Sequence, residues 1–324
     1  MKLGLFILVS AIAVGCPALS PGQRVGPPRA TSDRGLDVEL IRDPTWALGF
    51  TVLAPKVGGG ELGRIQFAGA AGTPVWQLAQ WHSRFPFTNA VEAGPELCLS
   101  NAAKWLCLNR RATEKAVLTL GVDSRPEYNG RLRRTPSEPW PHLLVQQTVS
   151  DAPPIAALRS LRLRAEVCLR EAQTFKPAEY SPSLHAAQFQ IVLTLNNLNR
   201  SSPGFGDYLW FVVPVYDDRY DIPPEYIAPD FAVTKGKLIY NPGGAAVGLR
   251  PLQPGKWQSL DCDLLPSLER ALRTAWAKGY LCDSRDLADY RVAHLNVGWE
   301  VPGANRTAIA IRGLSLCATE TTAP

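Results

Sequence analysis

Two short stretches bring carboxylates, amides and aromatic rings together in patterns that suit chemistry on a polar ligand. In GDYLWFVVPVYDDRYD, residues 206–221, an apolar run breaks into Tyr216, Asp217, Asp218, Arg219, Tyr220 and Asp221. In NVGWE, residues 296–300, side chains alternate along an extended chain, so Asn296, Gly298 and Glu300 share one face. Hydrolysis of a glycosidic bond commonly uses two carboxyl groups flanking it, an acid and a base or nucleophile. Asp218 and Glu300 are the candidate catalytic pair, with Asp217 as the alternative to Asp218. A lyase instead needs a proton-abstracting Tyr or His and groups that neutralise a uronate. His185, Tyr216, Arg219, Gln188 and Gln190 are available for that. Clustered carboxylates also suit calcium, but the spacing is not that of a calcium loop, so no metal ligand is assigned. The plain structural alternative is that both stretches are strand ends reaching water, their carboxylates paired with arginine.

Sugars present C–H faces to aromatic rings and hydroxyls to amides and charged groups, so glycan sites combine the two. The chain has nine Trp and nine Tyr. Trp76 and Trp81 are five apart and face opposite ways on one strand, so one belongs to the core and Trp81 is the ligand candidate. In AQFQIVLTL, residues 187–195, Phe189, Ile191, Leu193 and Leu195 share one face while Gln188 and Gln190 line the other, continued by Asn196. The ligand-binding candidates are therefore Trp81, Gln188, Gln190, Asn196, Tyr216, Asp217, Arg219 and Asn296. No GxSxG elbow, HExxH, Walker loop or dinucleotide fingerprint occurs, and all four histidines are isolated in sequence and read as structural.

The elements that must position these groups are strands. Charged residues are 19% of the 324, below the usual quarter, while 28 Pro and 26 Gly supply turns. About a dozen short runs of strand character follow one another, several alternating as half-buried strands do. In LRLRAEVCL, residues 161–169, Leu161, Leu163, Ala165 and Val167 point one way. The run 209–215 is apolar on both faces, which predicts a central strand, and Pro214 signals a bulge or the strand's end. Residues 264–278 alone have helical spacing, with Asp261 or Asp263 to cap the start, Pro266 in the first turn and Gly279 at the end. The expected fold is all-β, a two-sheet antiparallel jelly-roll-like sandwich with one packed surface helix. The closing GWEVPGANRTAIAIRGLSL, residues 298–316, resembles the last two strands of carbohydrate-binding modules and concanavalin-like sandwiches. That resemblance is one of class and implies glycan recognition without assigning any residue a role.

Lys2 followed by an apolar run over 3–14 reads as an export signal. AVGC, residues 13–16, resembles a bacterial lipoprotein box with Cys16 as the lipidated residue, although Ala13 stands where Leu is usual. The division expected is a signal over 1–16, a Pro/Gly/Ser-rich tether over 17–35, one sandwich domain over 36–318 and a tail over 319–324. Six further cysteines predict at least two disulfides, with Cys98 and Cys107 able to meet across a hairpin. The net charge is +5 and Arg outnumbers Lys; its planar fork suits carboxylate and sulfate, which keeps acidic glycans open as partners. The arginines are scattered and no nucleic-acid motif occurs, so nucleic acid is not expected as a partner, and the membrane only through a lipid anchor. The leading expectation is an exported glycan-binding protein. The alternatives are a glycan-cleaving enzyme on the same fold, hydrolase or lyase, and a structural envelope protein without a small ligand.

Overall fold

The computed structural model describes residues 37–321 apart from 89–90, 112–114, 232–233 and 235. The expected export signal and tether, with Cys16, lie outside the described residues. A seven-stranded sheet runs β15 (Trp257–Asp263), β10 (Leu158–Thr174), β17 (Asn305–Glu320), β8 (Val117–Asp123), β7 (Lys104–Asn109) and β6 (Glu96–Ser100), with β1 (Asp37–Glu39) paired to the end of β17. A ten-stranded sheet runs β13 (Tyr226–Asp230), β14 (Lys237–Asn241), β12 (Tyr208–Asp217), β11 (Gln188–Asn197), β16 (Tyr290–Glu300), β9 (His142–Thr148), β4 (Trp76–Ala79), β2 (Phe50–Leu53), β3 (Glu61–Phe67) and β5 (Val91–Ala93).

Strand alternation decides how the sheets stack. Phe189, Ile191, Leu193 and Leu195 of β11 are fully buried in one apolar cluster with Leu161, Leu163, Ala165 and Val167 of β10, each from the inner face of its own sheet. This is a jelly-roll-type β-sandwich, as the strand pattern predicts. Pairing is mostly antiparallel, but β2 with β4, β3 with β5 and β12 with β14 are parallel. β12 lies between β14 and β11 and is covered on both faces: Leu209, Phe211 and Val213 pack in the main core, and Trp210 and Val212 in a second apolar cluster with Ile239. β17 continues to Glu320, past the point where a tail was expected, because Thr319 pairs with Asp37 and donates its hydroxyl to that carboxylate at 2.6 Å.

The helix α1 (Leu265–Ala277) lies where its spacing predicts. Asp263 is its capping group: one carboxylate oxygen accepts from the Leu265 N–H at 3.0 Å and the Leu161 N–H at 2.9 Å, tying the helix start to β10. Leu265, Leu268, Ala271, Leu272 and Ala275 are buried in the main cluster, while Trp276 is half-buried against Tyr290. α1 touches both β10 and β12, so it closes the gap between the two sheets instead of lying on the surface of one. Leu272 is fully buried, so Leu272→Ala is expected to destabilise by about 2–5 kcal/mol, read from urea unfolding.

Cys98 and Cys107 face each other in the β6–β7 hairpin and are joined by a disulfide. Among the described residues this is the only bridge, against the two or more expected. The reason is parity. Cys262 is in register with Leu163 and packs on the core, whereas Cys317 is in register with the outward Arg162, so the two face opposite sides of the sheet across β10. Cys168 is buried and Cys282 exposed, both unbridged.

Candidate functional site

The outer face of the ten-stranded sheet carries the candidate groups, and a bulge decides which ones. Phe189 is in register with Tyr216 and Gln190 with Pro214, so Val215 is an extra residue in β12. Pro214 has no N–H to give a ladder, and the irregularity falls beside it. The extra residue reverses the alternation beyond it. Tyr216, expected on the outer face, turns inward, where its ring meets Trp299 edge-on at 5.8 Å and burial pushes its phenol pKa up. Asp217 turns outward in its place. Its carboxylate accepts from Gln188 Nε2 at 2.9 Å and from Arg219 Nε and Nη2 at 2.8 and 2.6 Å.

Gln188 is in register with Asp217 on one side and Glu300 on the other, and Glu300 is in register with His142. Four neighbouring strands therefore present Asp217, Gln188, Glu300 and His142 in one row. Glu300 is 2% exposed. Its Oε2 accepts from the Trp140 indole at 3.2 Å and lies 3.5 Å from His142 Nε2. A cavity of about 10 Å³, lined by Glu300, Gln188, Arg219, Arg133 and Trp140 among others, opens beside it and is about the size of one water molecule. With Gln188's strand between them, the Asp217 and Glu300 backbones are about 9.5 Å apart, two strand spacings.

Beyond this row the outer face is a strip of amides. Gln190, Asn196, Asn296 and Gln146 lie on it, with Thr194. Gln146 donates to Gln77 at 2.8 Å, but its own Oε1 has no hydrogen-bond partner; nor do both polar atoms of Gln190, Asn296 Oδ1, Asn196 Oδ1 and Thr194 Oγ1, all of them buried. Apolar clusters flank the strip. On one side Val192, Trp210, Val212 and Ile239 pack with Tyr208, Tyr220 and Tyr226; on the other Trp81 packs with Ala79 and Leu144. Trp76 sits fully buried in the main core, whereas Trp81, expected as a ligand aromatic on the same strand, lies past the end of β4 and is itself only 2% exposed in this separate cluster.

Other candidates have structural posts. Asp218 points away from the row: it accepts from the Ala187 N–H, the Thr174 hydroxyl and Asn305 Nδ2, each at 2.8 Å, and burial raises its pKa. Asp217, not Asp218, is the carboxylate that shares a face with Glu300. Because Asn can reproduce only part of the Asp218 bonding, Asp218→Asn is expected to cost about 1–3 kcal/mol in urea unfolding. Ligand binding per folded molecule should be unchanged. His185 is held by the Ser181 N–H and the Arg133 carbonyl, and with Tyr216 turned inward the lyase set is not brought together. Gly298 leaves no space for a ligand; a Cβ there would meet the Leu143 carbonyl oxygen at 2.2 Å, so glycine serves close approach of β9. Asp217 and Asp218 diverge, and no group of three or more His, Cys, Asp and Glu gathers among the described residues.

Trp140, His142 and Gln146 belong to the site and went unrecognised in the sequence. The available signal was alternation in HLLVQQT, which puts His142 and Gln146 on one face. The segment after β4 that carries Trp81 and His82 is fixed by buried polar groups. The Gln80 amide donates to the Leu53 and Phe87 carbonyls and accepts from the Phe87 N–H. Ser83 donates to Glu127 at 2.6 Å, and Lys104 contacts Ser83, the Phe85 carbonyl and Glu127. His82 then packs 5.9 Å from His142, with its pKa pushed down to about 4 by burial and by the neighbouring imidazole.

No family model and no curated protein matches this chain. Among solved structures, the endoglucanase Cel12A from Rhodothermus marinus is similar over 70% of this chain and 99% of its own, at 11% identity and a TM-score of 0.36. The xyloglucanase domain of NopAA, a type three effector from Sinorhizobium fredii, solved with cellobiose, matches over 69% and 98% at 9% identity and a TM-score of 0.33. The family 11 xylanase from Neocallimastix patriciarum matches over 70% and 96% at 8% identity and a TM-score of 0.32. At these identities and scores no residue of this chain inherits a role from them.

Proposed function

We propose that this protein acts on a polysaccharide laid across the outer face of the ten-stranded sheet, with Glu300 as the carboxyl group at the bond to be cleaved. The observation that carries the reading is the strip of buried amide and hydroxyl atoms with no protein partner, between two aromatic clusters. Leaving a polar group buried and unpaired costs about 1–3 kcal/mol, and a run of them on one face is relieved by a ligand rich in hydroxyls. The half-buried Tyr208, Tyr220 and Tyr226 beside the strip suit the C–H faces of the same ligand, whereas Trp81 and Trp210 are buried and offer it no ring face. Cleavage is supported by the row itself: Asp217 and Glu300 flank Gln188 on one face of the sheet, and glycoside hydrolysis commonly uses two carboxyl groups flanking the bond.

Binding without cleavage is the second reading, favoured by the hold of Arg219 and Gln188 on both oxygens of Asp217. Soluble neutral and acidic polysaccharides should be tested for new reducing ends and for retardation of the protein in polysaccharide-containing native gels. New reducing ends support cleavage, and retardation alone supports the second reading. If neither appears with any polysaccharide, the site does not act on glycans. We also propose export with lipidation at Cys16, which the Cys98–Cys107 disulfide supports through its need for an oxidising compartment. Cys16→Ser should move the protein out of the membrane fraction; unchanged partitioning would refute the anchor.

A further inference from the structure

The edge strand of the seven-stranded sheet borders a second cleft that the reading above does not use. It has about 670 Å³ of free space and is lined by Arg250, Gln253, Lys256, Trp257, Gln258 and Ser259 with Gly248 and Pro251; no carboxylate lines it. Arg250 and Lys256 are exposed and make no ion pair among the described residues. Trp257 gathers two more cations. The guanidinium of Arg312 lies 4.1 Å from its ring centroid and that of Arg170 5.2 Å. Arg312 is neutralised by Glu166 at 2.9 Å, whereas Arg170 is exposed and has no carboxylate partner among the described residues. Arg250 is also placed by the sheet: in the amide orientation that satisfies both groups, the Gln258 side chain bonds its carbonyl at 3.1 Å and its N–H at 3.0 Å.

We propose that this cleft is a second ligand site, for an anionic polysaccharide bearing carboxylate or sulfate groups. The Arg250 guanidinium and the Lys256 ammonium line the cleft with no carboxylate in the lining, and the unpaired Arg170 guanidinium sits on the ring of Trp257, which selects an anion. Gln253 and Ser259 add an amide and a hydroxyl, which suit the hydroxyls of a sugar. The ring of Trp257 is engaged by guanidinium groups, so it offers no free platform for the stacked bases that single-stranded nucleic acid needs. No large aliphatic side chain lines the cleft to enter a bilayer.

The test is binding of the whole protein to polygalacturonate and to heparin, which separate carboxylate from sulfate. Dextran, a duplex oligonucleotide and phosphatidylglycerol vesicles are the comparisons. Polygalacturonate or heparin should bind, and dextran binding should not depend on this cleft. Added salt should weaken the anionic polymer. Arg250→Gln with Lys256→Gln should lower its affinity about tenfold or more, since each charged hydrogen bond contributes about 1.5–3 kcal/mol and 1.4 kcal/mol is a factor of ten. Thermal unfolding of that variant should match the native protein, both residues being exposed. Glu300→Gln should leave this binding intact, which separates failure here from failure of the glycan groove. The proposal is overturned if neither anionic polysaccharide binds, if the double variant binds as well as the native protein, or if the oligonucleotide or vesicles bind equally well through the same two residues.

Discussion

Glu300→Gln is expected to lower sugar release by about 10²–10⁴-fold, the usual worth of a general acid or base. Unfolding temperature should hold or rise. The substitution keeps the shape and an oxygen to accept the Trp140 indole hydrogen bond, so the fold loses little. What disappears is a carboxyl group buried to 2% exposure in a row of polar side chains. Functional sites commonly hold such groups at a cost in stability, and their removal often stabilises. Glycan retardation should persist, because the amide strip is untouched. Equal loss of stability and activity would mean that Glu300 is a framework residue paired with His142, and the cleavage reading would fall.

Glu127→Gln should destabilise the fold by about 3–5 kcal/mol at neutral pH, because it strands the Lys104 ammonium, 1% exposed, without its counter-charge. Lys104→Met combined with Glu127→Gln should recover part of that loss, since a missing pair is less costly than half a pair. The pH dependence has a definite sign. Burial pushes the Lys104 pKa down to about 8, while in the unfolded chain it returns to the ordinary lysine value. Between these two values the unfolded chain holds a proton that the folded chain has released, so stability from this group rises with pH and is lowest below about 8. Thermal unfolding from pH 7 to 10 should show the native protein gaining on Lys104→Met; a constant difference would refute the assignment. The segment held by this trio carries Trp81, so Glu127→Gln should also weaken glycan retardation.

The regular parts of the fold were legible in the sequence because each strand and the helix repeat with one period over many residues. Phe189 to Leu195 and Leu161 to Val167 face the core as alternation requires, and Asp263, Pro266 and Gly279 bound the helix. The site was legible in part. Glu300, Asn296, Gln188 and Gln190 share a face because no irregularity interrupts β11 or β16 between them. Tyr216 and Asp218 were misplaced because a bulge leaves no mark in composition beyond Pro214. Trp140 and His142 are more than 150 residues from Glu300 and reach it only through the pairing of β9 with β16, which no local pattern encodes. That Cys262 and Cys317 face opposite sides of the sheet follows only from their registers on β10, which no spacing in the sequence reveals.

The single inserted residue at Val215 also makes β12 a counting device. On either side of it the same alternation applies, but odd and even positions exchange meaning. Straightening the bulge with Val215 drawn into the ladder would turn Asp217 toward the apolar interior and Tyr216 to the amide face, and Gln188 would lose the carboxylate it now bonds; deleting Val215 would instead leave Tyr216 opposite Phe189 and Asp217 opposite Gln188 in unbroken alternation. The bulge is thus a constraint independent of which side chains occupy it, and any redesigned strand that keeps YDDRYD and its length while losing the bulge would carry the same letters to a different surface.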